Sequence, residues 1–236
     1  MALKRIFFDL DGTLLPMDMD GFVNRYFQVL SAKMAEHGHD PKEFMDALLK
    51  GIGAMVKNTG ESSNEERFWQ VFLEIMGEDF LKDKQVLDDF YEKDFCKTRD
   101  FCGYEPLADQ TIKRLKEMGY PLVLATNPIF PRVATMQRIR WAGLNVEDFD
   151  LVTVYENFNY SKPNPEYYRE LLRRFDAKPE ECLMVGNDMR EDMVAQSVGM
   201  HVFLLPEYII NPENEDISKY PHGSFEDLLE YVKHIS

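Results

Sequence analysis

Four short stretches of this 236-residue chain hold residues whose types could do chemistry together. In Ile6-Phe7-Phe8-Asp9-Leu10-Asp11-Gly12-Thr13 an apolar run delivers two carboxylates, two residues apart, and then a glycine. Such a run reads as a buried strand, and the carboxyl ends of strands are where open α/β sheets bind ligands. A calcium loop would need an Asp or Asn at the fifth position, where this chain has Thr13. A second run, Leu122 to Ala125, ends in Thr126-Asn127, a hydroxyl and a main-chain N–H that suit an anion as well as a helix or turn cap. Ser161-Lys162-Pro163-Asn164-Pro165 sets a lysine just ahead of a helix expected near Pro165. Its cation and the helix end would favour the same anion, although a loop lysine by itself is usually only a solvated charge. Met184-Val185-Gly186-Asn187-Asp188 ends another apolar run, with Asp188 and Asp192 four residues apart across a turn entering a helix, where acids also serve as caps.

The elements that must position these residues follow from the pattern of apolar runs. Ile6–Phe8, Leu122–Ala125, Leu151–Val154, Cys182–Val185 and Val202–Leu205 are of strand length and mostly too uninterrupted for half-exposed antiparallel strands, so they read as buried parallel ones. From Leu107 onward, helical patterns lie between them: Ile112, Leu115 and Met118, then 133–141, 167–175 and 193–198. Alternating strand and helix predicts an α/β, doubly wound parallel sheet of Rossmann-like type.

Residues 16–99 differ in pattern, with no convincing strand and four helical segments, and are expected to form an inserted α-helical cap subdomain; residues 1–15 and 100–236 are the α/β core. Val23, Phe27, Leu30 and Met34 fall at helical spacing before Gly38. Asp40, Pro41 and Glu43 predict a capping box ahead of Phe44, Leu48 and Ile52, and Ser63 with Glu66 another ahead of Phe68, Phe72 and Ile75. Val86, Leu87, Phe90 and Tyr91 carry a fourth helix. The polar stretch Asn58 to Asn64 reads as the flexible part of the insertion. The aromatic residues of these helices fall at core spacing and are expected to pack the bundle.

Taken jointly and in this order, the four stretches resemble the motifs of the haloacid dehalogenase superfamily. These are an Asp-x-Asp-Gly-Thr strand end, a Ser or Thr strand end, a lysine and a final acidic pair. The resemblance covers about residues 1–15 and 100–205, and one branch of that superfamily carries a helical lid at the same point after its first motif. It implies a phosphohydrolase acting on a small phosphorylated metabolite. Asp9 would be the nucleophile that forms an aspartyl-phosphate, and Asp11 the general acid and base. Thr126, Asn127 and Lys162 would hold the phosphoryl group. Mg²⁺ would be ligated by Asp9, the Asp11 carbonyl and Asp188, with Asp192 orienting water ligands or Lys162. Asn187 stands where the superfamily commonly has Gly or an acid, and Asp188 is preferred to it as ligand. Asp11 speaks against carbon–halogen hydrolysis, because the superfamily's dehalogenases lack an acid there.

The chemistry makes sense without a family name: an anionic nucleophile that attacks an anionic phosphate needs positioning and charge stabilisation above all. An all-oxygen ligand set without clustered His or Cys suits Mg²⁺ over Zn²⁺. A sugar phosphomutase would use the same aspartyl-phosphate, and a phosphonatase would need a Schiff-base lysine, for which Lys33, Lys50 and Lys57 show no signature. A non-catalytic phospho-ligand-binding module would be expected to have lost one of the key residues, and none is missing. Substrate choice is expected to lie in the cap and in the crossing segment with Met17, Asp18 and Met19.

Composition narrows the partners. With 27 Lys and Arg against 42 Asp and Glu, the formal net charge of −15 disfavours nucleic acid and anionic membranes. No apolar run approaches the ~18 residues that would span a bilayer. Cys96, Cys102 and Cys182 leave at least one thiol unpaired and fit a reduced, cytoplasmic setting.

Overall fold

The computed structural model describes residues 2–236. Five segments, β1 (Arg5–Phe8), β2 (Leu122–Leu124), β3 (Leu151–Val152), β4 (Cys182–Gly186) and β5 (His201–Leu204), form one parallel sheet in the order β3-β2-β1-β4-β5. β1 lies at its centre, with Phe8 opposite Leu124 on one side and Val185 on the other. Phe8 and Ile6 belong to the apolar cluster on one face and Phe7 to that on the other. Burial on both faces is why the run carries no polar alternation. The chain adds β2 and β3 to one side of β1 and β4 and β5 to the other, so the ends of β1 and β4 flank a topological switch point. The register brings these ends out level: the Asp9 N–H donates to the Val185 carbonyl (2.9 Å) and the Ala125 N–H to that of Phe8 (2.7 Å).

Helices cover both faces. On the Ile6 and Phe8 side lie α5 (Pro106–Glu117), through Ala108, Ile112 and Leu115, and α8 (Phe225–Ile235), through Leu228 and Val232. α6 (Arg132–Trp141) joins the same cluster through Ala134 and Ile139. On the Phe7 side α7 (Pro165–Arg174) packs Tyr167, Tyr168 and Leu171. Residues 193–198, expected as an α-helix, form 3₁₀ turns, and β3 is only two residues long because Val154 donates its N–H to the Asn157 side chain (2.9 Å).

Between Phe8 and Leu122 the chain is helical: α1 (Met19–Glu36), α2 (Pro41–Val56) and α3 (Asn64–Met76), followed by an irregular helical run from Glu78 to Phe101 in which α4 is Lys84–Asp89. The Ser63–Glu66 capping box is complete, whereas Asp40 caps α2 without a reciprocal bond from Glu43. The two crossings between the helices and the sheet run side by side. Asp18 donates its N–H to the Phe101 carbonyl (2.9 Å), and Gly103 donates to Pro16 (2.8 Å). Phe95 ties the helices to α6, with its ring against Phe22, Tyr26, Phe130 and Trp141. No helix among the described residues is long and apolar enough to cross a membrane.

The stretch from Asn58 to Asn64, expected to be flexible, is instead an anchor. Asn64 is fully buried. Its amide donates to the Pro128 carbonyl (3.0 Å) and to Ser161 Oγ (3.1 Å), while its Oδ1 accepts from Asn58 (2.9 Å). Ser161 in turn donates to the carbonyl of Met55 on α2 (3.2 Å), and the Asn159 amide donates to that of Gly60 (3.1 Å). Polar side chains here satisfy buried backbone groups that would otherwise be left without water. Asn64→Leu is therefore expected to cost about 1–3 kcal/mol in urea denaturation through the acceptors it strands, whereas Glu61→Ala, on the exposed part of the loop, should stay within about 0.5 kcal/mol.

Candidate active site

The four stretches meet at the carboxyl ends of β1, β2 and β4. Asp9 follows β1 directly and is only 7% exposed. Its Oδ1 accepts from Lys162 Nζ (2.8 Å), and its Oδ2, 3.3 Å from Thr13 Oγ1, shares the single Thr13 O–H with the nearer Asn187 Oδ1. Lys162 is completely buried, and the same Nζ donates to Asp192 Oδ1 (2.6 Å). The second oxygen of Asp192 accepts from the N–H groups of Asn187 and Asp188 (both 3.0 Å). Gly186 makes room for this carboxylate, since a Cβ there would lie 2.1 Å from Asp192 Oδ2. Burial alone would push the Lys162 ammonium down. The carboxylates of Asp192 and Asp9 outweigh it and hold the group well above the ordinary lysine value.

The loops that carry the acids are tied to one another. Gly12 has a positive φ of 79°, and a Cβ on it would lie 2.3 Å from the Asn187 amide. That close approach lets Thr13 donate to Asn187 Oδ1 (2.9 Å), while Asn187 Nδ2 donates to the Tyr208 carbonyl (2.6 Å). Both ends of the Asn187 side chain are thus occupied as a strut. Asp188 accepts the N–H groups of Arg190 and Glu191 on Oδ1 alone (2.7 and 2.9 Å). Thr126 has its carbonyl fixed by Thr153 (2.6 Å) and Tyr167 (3.0 Å), which leaves its side chain on the cavity wall. Asn127 accepts the Lys162 N–H (3.2 Å) and donates to Glu191 (2.9 Å).

Asp11 meets a residue that the sequence reading passes over. Arg138, on α6 and only 1% exposed, donates through Nη1 to Asp11 Oδ2 and through Nη2 to Thr135 Oγ1 (3.2 Å), its guanidinium lying over the Phe130 ring at 4.5 Å. Asp11 Oδ1 is buried without a partner among the described residues. Burial raises the Asp11 carboxyl, with Arg138 opposing the shift and Asp9 adding to it. The signal in the sequence was the position of Arg138, four residues after Ala134 and three after Thr135, on the buried stripe of a helix where a cation needs a partner.

A family model for haloacid dehalogenase-like hydrolases matches residues 3–199. The chain belongs to the haloacid dehalogenase-like hydrolases. It is 27% identical over 223 residues, 92% of each chain, to the glyceraldehyde 3-phosphate phosphatase of Methanothermobacter thermautotrophicus. It is 26% identical over 200 residues to the pyrophosphatase PpaX of Bacillus cereus, covering 84% of this chain and 81% of that one. Among solved structures, the fold is similar to that of a haloacid dehalogenase-type phosphatase from Thermococcus onnurineus, with a TM-score of 0.60, 22% identity and 98% of both chains covered. It is also similar to a 2-haloacid dehalogenase from Pseudomonas syringae pv. tomato, with a TM-score of 0.67, 20% identity and 99% and 100% covered. One fold thus serves both kinds of hydrolase, and the choice of reaction rests on side chains.

In this hydrolase Asp9, Asp11, Asp188, Glu191 and Asp192 line one cavity of about 240 Å³, together with Thr126, Asn127 and Arg138. Five carboxylates face two cations, Lys162 and Arg138. Burial pushes the Glu191 carboxyl up to about 7 and raises that of Asp192. Such a surplus of hard oxygen donors fits a divalent cation of the Mg²⁺ type. No three His, Cys, Asp or Glu side chains converge as a ready-made cluster among the described residues. The ligand set expected from the sequence contains only two such side chains, those of Asp9 and Asp188, with a main-chain carbonyl. Met17 and Met19 line the cavity, but Asp18 does not; it caps α1 by accepting the Gly21 N–H (3.1 Å).

Among the described residues, Lys162 is the only cation that touches both Asp9 and Asp192. Lys162→Met should therefore lower stability by about 3–5 kcal/mol in urea denaturation. Adding Asp192→Asn should recover part of the loss by removing one of the two stranded charges.

Proposed function

We propose that this hydrolase cleaves a small phosphate monoester in two displacements at phosphorus, with Asp9 as the nucleophile. The observation that carries the reading is the pairing of Asp9 with a fully buried lysine in a cavity shared with Asp11 and Thr126. The names of the curated relatives, a phosphatase and a pyrophosphatase, support a phosphate substrate.

In the first step Asp9 attacks phosphorus, the bond to the ester oxygen breaks, and Asp11 gives that oxygen its proton, releasing the alcohol. In the second step Asp11 takes a proton from water, which attacks the aspartyl-phosphate and frees inorganic phosphate and Asp9. Lys162 lies between Asp9 and Asp192, where it offsets charge on the nucleophile and the phosphoryl group. Thr126 and Asn127 bind the phosphoryl oxygens. Asp9, the Asp11 carbonyl and Asp188 would hold Mg²⁺, which would supply the further positive charge needed for two anions to meet. Asp192 acts by fixing Lys162 and the 186–188 turn. Arg138 fixes the Asp11 carboxylate through one oxygen and leaves the other for proton transfer. The helices from Met19 to Phe101 serve as the cap over this site, entering and leaving through the paired crossings at Pro16–Asp18 and Phe101–Gly103.

Two assays test this reading. Phosphate release from a panel of monoesters should require Mg²⁺, stop with chelator and be abolished by Asp9→Asn; release that survives Asp9→Asn in folded protein would overturn it. Asp11→Asn should lower kcat/KM for an alkyl phosphate by about 10²–10⁴-fold. The loss should be much smaller for p-nitrophenyl phosphate, whose leaving group departs without a proton. Arg138→Met should show the same dependence on leaving group at smaller amplitude, and equal losses on both esters would reduce Arg138 to a structural role.

A further inference from the structure

The walls of the catalytic cavity restrict what can leave it. This inference rests on the reading above, in which the phosphoryl group lies among Asp9, Thr126 and Lys162. A substrate whose leaving group carries a carboxylate or a second phosphate needs a cation to receive it. Arg138 is the only cationic side chain among the described residues lining this cavity; its Nη1 and Nη2 donate to Asp11 and Thr135, and its Nε is buried without a partner among those residues. Lys162, behind Asp9, is paired with two carboxylates. A second anion would thus enter a site already rich in carboxylates and meet only cations whose charge is already offset, a penalty that rises as water is excluded.

Away from the acids the wall is apolar: Met17, Met19, Phe22, Val23, Ile129 and Phe130. Val23, Ile129 and Phe130 are also the wall of a second cavity, of about 220 Å³, between the helical insertion and the sheet. Its far side is built from Leu48, Ile52, Met55 and Phe68. The Tyr26 and Tyr91 hydroxyls that border it share one hydrogen bond (2.7 Å). Trp69, on the same wall, has a buried Nε1–H that no acceptor among the described residues meets at full hydrogen-bond geometry, the Tyr155 hydroxyl being the group beside it. An apolar cavity of roughly 150 Å³ takes up benzene, so this space accommodates a substituted ring. The aromatic residues of the insertion, expected mostly to pack the bundle, therefore also enclose space beside the catalytic cavity.

We infer that the preferred substrate is the phosphate monoester of an uncharged aromatic alcohol, whose ring occupies the second cavity and whose polar substituent accepts the Trp69 N–H. Phosphoryl transfer to Asp9 and protonation of the ester oxygen release the neutral alcohol, and water releases inorganic phosphate. The chemistry of the two steps is unchanged; the inference concerns the group that leaves.

The test compares kcat/KM, with Mg²⁺, for benzyl phosphate, 4-methoxybenzyl phosphate, methyl phosphate, phosphoglycolate and pyrophosphate. The benzyl esters should exceed the other three by tenfold or more. Ile52→Trp, which fills the second cavity, should bring the benzyl-to-methyl ratio down about tenfold. Leu48→Phe serves the same purpose if the tryptophan variant does not fold. Trp69→Phe should erase the advantage of the methoxy ester over benzyl phosphate. A preference for phosphoglycolate or pyrophosphate, or a benzyl-to-methyl ratio indifferent to both filling variants, would overturn the inference and leave the phosphatase reading intact. If no phosphate is released from any of the five, the phosphatase reading fails and the inference with it.

Discussion

A lysine ammonium without access to water, held between Asp9 and Asp192, is the contact on which the rest of the site depends. Desolvating three ionised groups is costly, and the arrangement is stable only because the remaining valences are satisfied. Asp192 takes two main-chain N–H groups as well as the lysine, and Gly186 gives it the space to do so. Asp9 shares the Thr13 hydroxyl with Asn187. Each loop therefore reaches its position by meeting a charge or amide contributed by another. The parallel register of β1, β2 and β4 brings their ends close enough for these contacts to form.

The same network extends into the helical insertion. Ser161, next to Lys162 in the chain, accepts from Asn64 and donates to the Met55 carbonyl, so α2, α3 and the lysine loop share one set of hydrogen bonds. Phe95 supplies an apolar counterpart on the other side, against α6. From α6, Arg138 reaches back to Asp11. Displacing the insertion would thus disturb both Lys162 and the Arg138 that fixes Asp11, which couples the position of the helices to the geometry of the acids.

Much of this was legible in the sequence because buried parallel strands leave a strong mark: runs such as Ile6–Phe8 and Cys182–Val185 admit few alternatives, and their ends locate the site. The Ser63–Glu66 box was equally plain, since capping is local chemistry. What escaped were contacts set by tertiary structure. The polar stretch from Asn58 to Asn64 looks mobile when read alone, and only the nearby carbonyls of Pro128 and Tyr160 turn it into an anchor. Arg138 sits among other arginines on α6, and although its place on the buried stripe calls for a partner, nothing local shows that the partner is a carboxylate 127 residues away. The closing α8, with its Ser224–Asp227 capping box, was present in the sequence as pattern but lies beyond the last chemical motif and drew no reading.

The central place of β1 also has a consequence for the chain as it is made. Its first partner, β2, lies more than a hundred residues downstream, and β4 is further still. At ordinary rates of synthesis the strand that leads into Asp9 emerges roughly ten seconds before anything can pair with it. Through that interval Ile6, Phe7 and Phe8 offer an apolar edge on both sides, while α1, α2 and α3 can already collapse on one another through local contacts. The helical insertion is thus placed to fold first and to keep β1 occupied until the sheet can close around it.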